Sequence, residues 1–286
     1  MRLPALLSRR QRNVHKNDFG HVLIIAGSNR YLGAGALCAL ASARSGAGLV
    51  TLAVPQSLNT PAQKKVANVV MTLPLKETLQ QTIALTAYPQ IAEFYPKIKA
   101  IAVGPGMTTN PMTKKFILKL IQSSPVPLII DADALNALSG HLNSLTKTPT
   151  LKILTPHPGE MARLLNIDKK RIEADRKKYA QEFAQKYQCF LILKGHQTVV
   201  ASPQGKIYVN KTGNPGMATG GTGDVLTGII AAFIAQGVDG FAAAKFGVYL
   251  HGYAGDLAAR NKTRVAMIAS DIIESLPQSL AKLSKH

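Results

Sequence analysis

Five consecutive residues, Gly220-Gly221-Thr222-Gly223-Asp224, have the types and spacing for phosphate chemistry. They close the segment NPGMATGGTGD and lead into an apolar run with Val225, Leu226, Ile229, Ile230, Phe233 and Ile234 on one face of a predicted helix. A helix start leaves backbone N–H groups free and carries a partial positive charge. Glycines let an anion approach those groups closely, so the segment reads as a phosphate cradle. It is not a Walker A loop, which ends in GKS/T, nor the G-x-G-x-x-G dinucleotide fingerprint. Asp224 has two readings. As an N-cap it would close an ordinary helix. As a general base, kept ionised by the neighbouring N–H groups, it would take a hydroxyl proton. The N–H groups would then hold the charge growing on a transferred phosphoryl group.

Other polar groups fall at the ends of predicted strands, where a parallel sheet presents its ligand sites. TPHPGE carries His157 and Glu160, and LKGHQT carries Lys194. Each has a plain alternative: a loop histidine satisfied by backbone, a first-turn glutamate complementing a helix dipole, a surface lysine. DADALN holds Asp131, Asp133 and Asn136, either a sheet-edge site with indirect metal binding or a helix-capping cluster. His251 and Asp256, on an otherwise apolar helix, read as buried satisfied groups or subunit contacts. His196 reads as solvent-facing.

The elements that must position these residues alternate. Apolar runs without polar alternation predict buried strands at 21–27, 49–54, 69–73, 100–104, 127–131, 152–156 and 190–195, with a hairpin over 198–210. Helices are predicted at 35–48, ending on glycine, and at 111–124, 224–236, 241–260 and 270–283, with an exposed polar helix at 169–188. Strands alternating with helices predict an α/β fold with a mainly parallel central sheet. No linker divides the chain, so one domain over 15–286 is expected, preceded by a basic arm over 1–14.

The bulk properties exclude several classes. The chain has 286 residues, 46% hydrophobic and 17% charged, and a mean hydropathy of +0.07, a composition for a folded core. No run reaches the length of a transmembrane helix, and the apolar stretch LPALL is too short for a signal peptide. Cys38 and Cys189 read as buried free thiols of a cytoplasmic protein. The formal charge of +19 is large, but its clusters, Arg9, Arg10, Arg12 and Lys16, then KKRIEADRKK, form no stripe interleaved with aromatics. Specific nucleic-acid binding is therefore not expected; attraction of polyphosphates is.

NPGMATGGTGDVLTGIIAA resembles the GTGD anion-hole motif of the ribokinase-like superfamily, and its long lead-in is similar to that of the NAD(P)H-hydrate dehydratases. HKNDFGHVLIIAGS, SGAGLVT, VGPGM, IIDADALNAL, LTPHPGEMARLL, LKGHQTVV and GVYLHGYAGDLAA follow in family order. Three places depart from the usual pattern: Asn17 stands where HKG is usual, Ala26 where a second glycine is usual, and KGHQT where KGAGT or similar is usual. The resemblance implies a ribokinase-like three-layer sandwich. It implies repair of hydrated NADH or NADPH through phosphorylation of the ring hydroxyl by ADP or ATP, with Mg²⁺. Asp224 would be the base, with Gly221, Thr222 and Gly223 as the anion hole. Ala34, Gly104 and His157 would contact the hydrated nucleotide, a side chain at Gly104 obstructing it. Lys194, Gly195, His196, Gln197, Thr198 and Gly223 would line the adenine-nucleotide site. Glu160 would organise Mg²⁺ through water. The alternative within the superfamily is a small-molecule hydroxymethyl or alcohol kinase. Small-residue helices suggest close subunit packing, hence a homo-oligomer such as a tetramer, without membrane attachment.

Overall fold

The computed structural model describes residues 1, 3–8, 13–66 and 68–284. Arg9, Arg10 and Arg12 of the basic arm lie outside the described residues. The strands are β1 (His21–Ile25), β2 (Leu49–Pro55), β3 (Val70–Leu75), β4 (Ala100–Val103), β5 (Leu128–Ile130), β6 (Lys152–Leu154), β7 (Phe190–Leu193), β8 (Val199–Ala201) and β9 (Ile207–Val209). The helices are α1 (Ala5–Ser8), α2 (Leu32–Arg44), α3 (Asn59–Lys65), α4 (Tyr88–Ala92), α5 (Pro111–Ser123), α6 (Asp133–Leu138) and α7 (Pro158–Leu165). Then follow α8 (Lys169–Ala174), α9 (Arg176–Lys186), α10 (Thr222–Ala235), α11 (Gly240–Ala266) and α12 (Ala269–Ser284).

All these strands form one sheet in the order β3-β2-β1-β4-β5-β6-β7-β8-β9. Every pairing from β3 to β7 is parallel, with Val22 level with Val50 and with Ala100; β8 and β9 add the expected antiparallel hairpin. Alternate side chains explain the apolar runs. Val22 and Ile24 of β1 join the core beneath α2, α10, α11 and α12, while Leu23 and Ile25 join the core beneath α4, α5, α6, α7 and α9. With both faces covered, the central strands are almost wholly apolar, and the polar exceptions are bonded: His21 pairs with Thr51, and Lys152 donates to Thr148 and Thr150. The result is the expected three-layer sandwich.

The helix ends follow local chemistry. α2 stops at Ser45, and Gly46 (φ 94) turns the chain, its N–H donating to the Ala43 carbonyl while Ala47 donates to Ser42. This is a glycine-closed C-terminus. Asn110 caps α5, accepting from the N–H groups of Met112 and Thr113, with Pro111 at the first helical position. The long polar helix expected over 169–188 is instead two helices. Asp175 breaks it and accepts from the Lys178 N–H, and α9 buries Ala180, Phe183 and Ala184 against the core. Cys38 and Cys189 are buried and unpaired. No helix among the described residues is long and apolar enough to cross a membrane.

The small residues of α2 are spent inside the chain. Its backbone lies so close to α10 that a Cβ at Gly228 would meet the Cys38 carbonyl oxygen at 2.2 Å and the Ala41 Cβ at 2.9 Å. That removes them as a ground for expecting subunit packing. Gly228→Ala should therefore lower stability by about 1–3 kcal/mol, read as a lower urea midpoint at unchanged slope. Gly33→Ala, where a Cβ meets nothing within 4 Å, should stay within about 1 kcal/mol of the parent.

Candidate active site

The strand order reverses direction beside β1, with β2 on one side and β4 on the other. Such a switch opens a crevice at the carboxyl ends of the strands. The predicted residues gather along that edge: Ala34 after β1, Gly104 after β4, Asp131 after β5, His157 and Glu160 after β6, and Lys194 after β7.

At the centre lies an ion pair. Lys194 Nζ donates to Asp131 Oδ1 at 2.8 Å, and Thr227 of α10 donates to Asp131 Oδ2 at 2.7 Å. Asp131 is 1% exposed. Burial alone would raise its pKa, but Lys194 and the hydroxyl bond outweigh that and hold it below the ordinary carboxylate value. Burial would likewise depress Lys194, yet the carboxylates of Asp131, Glu160 and Asp224 keep its pKa above the usual lysine range. Glu160 Oε2 stands 3.9 Å from Lys194 Nζ. Burial pushes Glu160 up, against the pull of Lys194. The pairing of Asp131 with Lys194 and Thr227 was not legible in the sequence, because the three are brought together only by the fold.

The glycine loop ends directly above this pair. Helix α10 begins at Thr222, with Gly221 in left-handed conformation (φ 89) as its N-cap. Asp224 is therefore in the first turn and is not the cap. A Cβ at Gly223 would come 3.3 Å from Lys194 Nζ and 3.9 Å from Asp131 Oδ2, so glycine brings the backbone down onto the charged pair. The Thr222 hydroxyl turns back on its own loop, bonding the carbonyls of Met217 and Thr219 at 3.0 and 3.1 Å. That hydroxyl is thereby committed to the loop.

The Asp224 carboxylate accepts no hydrogen bond among the described residues. Burial, then Asp131, with Lys194 opposing, pushes its pKa up to about 7. The expectation that neighbouring N–H groups keep it fully ionised is thus corrected. Desolvation and a second carboxylate win over a helix terminus, whose effect is small by comparison. An acid of pKa near 7 is matched to proton transfer at neutral pH.

His157 and Glu160 do the plain structural work and keep something over. His157 caps α7: its Nδ1 accepts from the N–H groups of Gly159 (3.0 Å) and Glu160 (3.2 Å), and Glu160 Oε2 accepts the His157 N–H at 2.8 Å. This reciprocal box fixes both side chains. With Nδ1 an acceptor, the ring proton sits on Nε2. Burial, Lys194 and Arg163 lower the His157 pKa, so the ring is neutral near pH 7. Half of that side chain (50%) is exposed at the crevice, whereas Glu160 is 7% exposed.

Gly104 (φ 123) has a packing reason to be glycine that the sequence did not show. A Cβ there would sit 1.8 Å from the Asp131 carbonyl oxygen, so packing alone requires glycine at this position. Ala34 lies in the first turn of α2 beside Gly106, where an added Cβ would come 3.3 Å from its methyl group. The 195–198 loop is exposed up to Thr198, whose hydroxyl donates to the Gly195 carbonyl at 3.0 Å. His196 faces solvent as expected. Gln197 adopts φ 54, a conformation that favours glycine, where the resembling pattern has one. Arg176 Nη2 straps this loop by donating to the carbonyls of His196 and Gln197. Nothing in the polar run around Arg176 signalled that role.

DADALN is not a capping cluster. Ala132 (φ 48) caps α6 without a side-chain bond, while Asp133 accepts from the Thr108 N–H (2.7 Å) and Asn136 Nδ2 (3.1 Å). Asp256 is satisfied, as expected, by Gly213 and Asn214. His251 departs from that expectation in part: among the described residues its Nε2 is buried without a partner, and burial, opposed by a bond to the Thr222 backbone, lowers its pKa to about 4. Among the described residues no group of three His, Cys, Asp or Glu side chains could hold a metal ion.

The NAD(P)H-hydrate dehydratase family model matches residues 22–278. This chain belongs to the NAD(P)H-hydrate dehydratase family. It is 35% identical to an ADP-dependent (S)-NAD(P)H-hydrate dehydratase of Xanthomonas campestris pv. campestris, over 94% of this chain and 91% of that one. It is 43% identical to the bifunctional NAD(P)H-hydrate repair enzyme Nnr of Moorella thermoacetica, over 98% of this chain and 53% of that one. The chain thus spans about half the length of the first curated relatives that it matches. Among solved structures, the ADP/ATP-dependent NAD(P)H-hydrate dehydratase of Bacillus subtilis, co-crystallised with ATP and Mg²⁺, superposes with a TM-score of 0.81 at 28% identity. That match covers 99% of this chain and 95% of the other. A ribokinase-like superfamily protein of Enterococcus faecalis matches with a TM-score of 0.80 at 27% identity, over 97% and 94% of the two chains. The fold of this dehydratase-family chain is ribokinase-like.

Two outcomes follow from these electrostatics. Asp224 holds its proton more tightly folded than unfolded. The stability this gives is full below the ordinary carboxylate pKa near 3.8 and is lost as pH rises through about 7. Asp224→Asn should therefore raise the melting temperature of the free protein by several degrees at pH 8 and by little at pH 4. Lys194→Met should cost about 3–5 kcal/mol, because it leaves Asp131 buried without its counter-charge. It should also shift the Asp224 titration, followed by carboxyl ¹³C NMR, to higher pH.

Proposed function

We propose that this chain dehydrates hydrated NADH or NADPH back to the parent nucleotide, with ADP or ATP as phosphoryl donor. The observation that carries the reading is the unpaired Asp224 carboxylate, tuned to about 7, in the first turn of a glycine-started helix above Lys194. With membership of the family, that arrangement fits a base beside an anion hole. Asp224 takes the proton of the ring hydroxyl as its oxygen attacks the terminal phosphorus of the donor. The bond from that phosphorus to the rest of the nucleotide breaks, giving AMP from ADP. Backbone N–H groups of Gly221, Thr222 and Gly223 hold the charge on the moving group. Phosphate is a far better leaving group than hydroxide. The ring-nitrogen lone pair expels it, and a proton lost from the adjacent ring carbon restores the double bond.

The remaining residues divide between two ligands. Ala34, Gly104 and the Nε2–H of His157 face the hydrated nucleotide together with Asp224. Lys194, Gly195, His196, Gln197, Thr198 and Gly223 face the adenine nucleotide, with Lys194 as a point charge on its phosphates. The donor set fits Mg²⁺ held through water and phosphate rather than in a protein cage. Both Asp131 oxygens are engaged, and Glu160 keeps one oxygen clear of its capping bond. When bound, the ion would neutralise charge on the donor phosphates.

Purified protein incubated with hydrated NADH, Mg²⁺ and ADP should regain the NADH absorbance, and Asp224→Asn should abolish that recovery while still binding ADP. Recovery with neither ADP nor ATP would refute the reading. A stable phosphorylated product would favour a kinase instead.

A further inference from the structure

The working end of the glycine loop opens at Gly220, where a Cβ would meet nothing within 4 Å, and closes at Gly221, where one would meet Leu37 Cδ1 at 2.4 Å. Its polar contacts lie further back along the segment. Asn214, at the start of the segment, donates through Nδ2 to the Gly255 carbonyl (3.0 Å) and to Asp256 Oδ1 (3.1 Å), and accepts the Gly216 N–H through its own oxygen (3.0 Å). Asp256 Oδ2 accepts the Gly213 N–H at 3.0 Å. Glycines then let the loop lie flat on α11. A Cβ at Gly255 would strike Met217 Sδ at 2.3 Å, and one at Gly216 the Arg264 carbonyl oxygen at 2.5 Å. From Met217 the chain is tied forward by the Thr222 hydroxyl to the first turn of α10. The loop is thus one internally bonded piece, and the α11 side chain that anchors it is the carboxylate of Asp256, beside the Gly255 carbonyl.

That carboxylate had an easier partner. Asp256 and Arg260 are four residues apart on one helix, the spacing at which such pairs form on exposed surfaces. Asn214, Asp256, Arg260 and Arg264 even line one cavity of about 280 Å³. Yet among the described residues neither arginine makes an ion pair with Asp256. Each Asp256 oxygen goes to the loop, with one bond to a backbone N–H.

We propose that Asp256 is a positioning residue for phosphoryl transfer: through Gly213 and Asn214 it fixes where the N–H groups of Gly221–Gly223 point. It touches no reacting atom. The proposal rests on the phosphoryl-transfer reading, and its effect belongs to the transition state, since misplacing such groups by about 1 Å costs on the order of 100-fold in rate.

The test is Asp256→Asn, which keeps size and one acceptor but removes the second. In the repair assay, kcat should fall between about 10-fold and 100-fold, with KM for ADP and for hydrated NADH within about twofold of the parent. A second readout needs no turnover. AMP should bind the parent more tightly when aluminium fluoride, a mimic of the moving phosphoryl group, is present with Mg²⁺. The variant should bind AMP alone as well as the parent does and lose that enhancement. Should Asp256→Asn fail to fold, Asn214→Ala removes the same anchor from the loop side and carries the same expectations. Unchanged kcat and unchanged enhancement would overturn the proposal. So would a loss of AMP binding in parallel with activity, which marks a merely structural residue. A parent protein that shows the aluminium fluoride effect but no repair would refute the choice of substrate and leave the positioning role standing.

Discussion

The Lys194–Asp131 pair is the interaction on which the site depends. The end of β5 supplies the acid and the end of β7 the base, two strands apart in the sheet. Around one buried ammonium stand Asp131, Glu160 and Asp224. Without that cation the three carboxylates would repel one another at a desolvated edge. With it, Asp131 is held ionised at 2.8 Å, and the more distant Asp224 is left undercompensated. One pair thereby divides the carboxylates into a structural anion and a poised base, which is how environment assigns roles to chemically identical groups.

Close approach of backbone makes the division possible. Gly223 lets the start of α10 descend onto the pair, and Gly104 lets the β4 turn pass the Asp131 carbonyl. Thr227, one turn further along α10, donates to Asp131 from above. The helix that carries Asp224 is therefore bonded to the acid that helps raise its pKa. Packing of α2 on α10 through Gly228 fixes the same helix from behind.

The two loops that frame the crevice are held by different means. The Asn214–Gly223 loop is docked on α11 by Asp256 and by glycine contacts. The 195–198 loop carries left-handed Gln197 and is strapped by Arg176. A glutamine at φ 54 costs of the order of 1 kcal/mol or more, and the guanidinium bonds to two successive carbonyls offset part of that. The KGHQT departure is thus a local conformation kept by a distant side chain.

Much of this chain was legible as sequence. Apolar runs without alternation named every strand of the parallel sheet, because a strand covered on both faces takes few polar side chains. The order GGTGD before an apolar face named a glycine-started helix, because glycine and a helix start are a local pair. Polar residues placed at strand ends named the crevice. What sequence could not carry was partnership. That Lys194 answers Asp131 across 63 positions, that Asp256 prefers a loop N–H to its neighbour Arg260, and that Gly104 passes the Asp131 carbonyl are all long-range contacts. The ionisation of Asp224 belongs with them. It is set by how deeply the first turn of α10 is buried and by which charges surround it, and those quantities exist only once the sheet has brought the strand ends together.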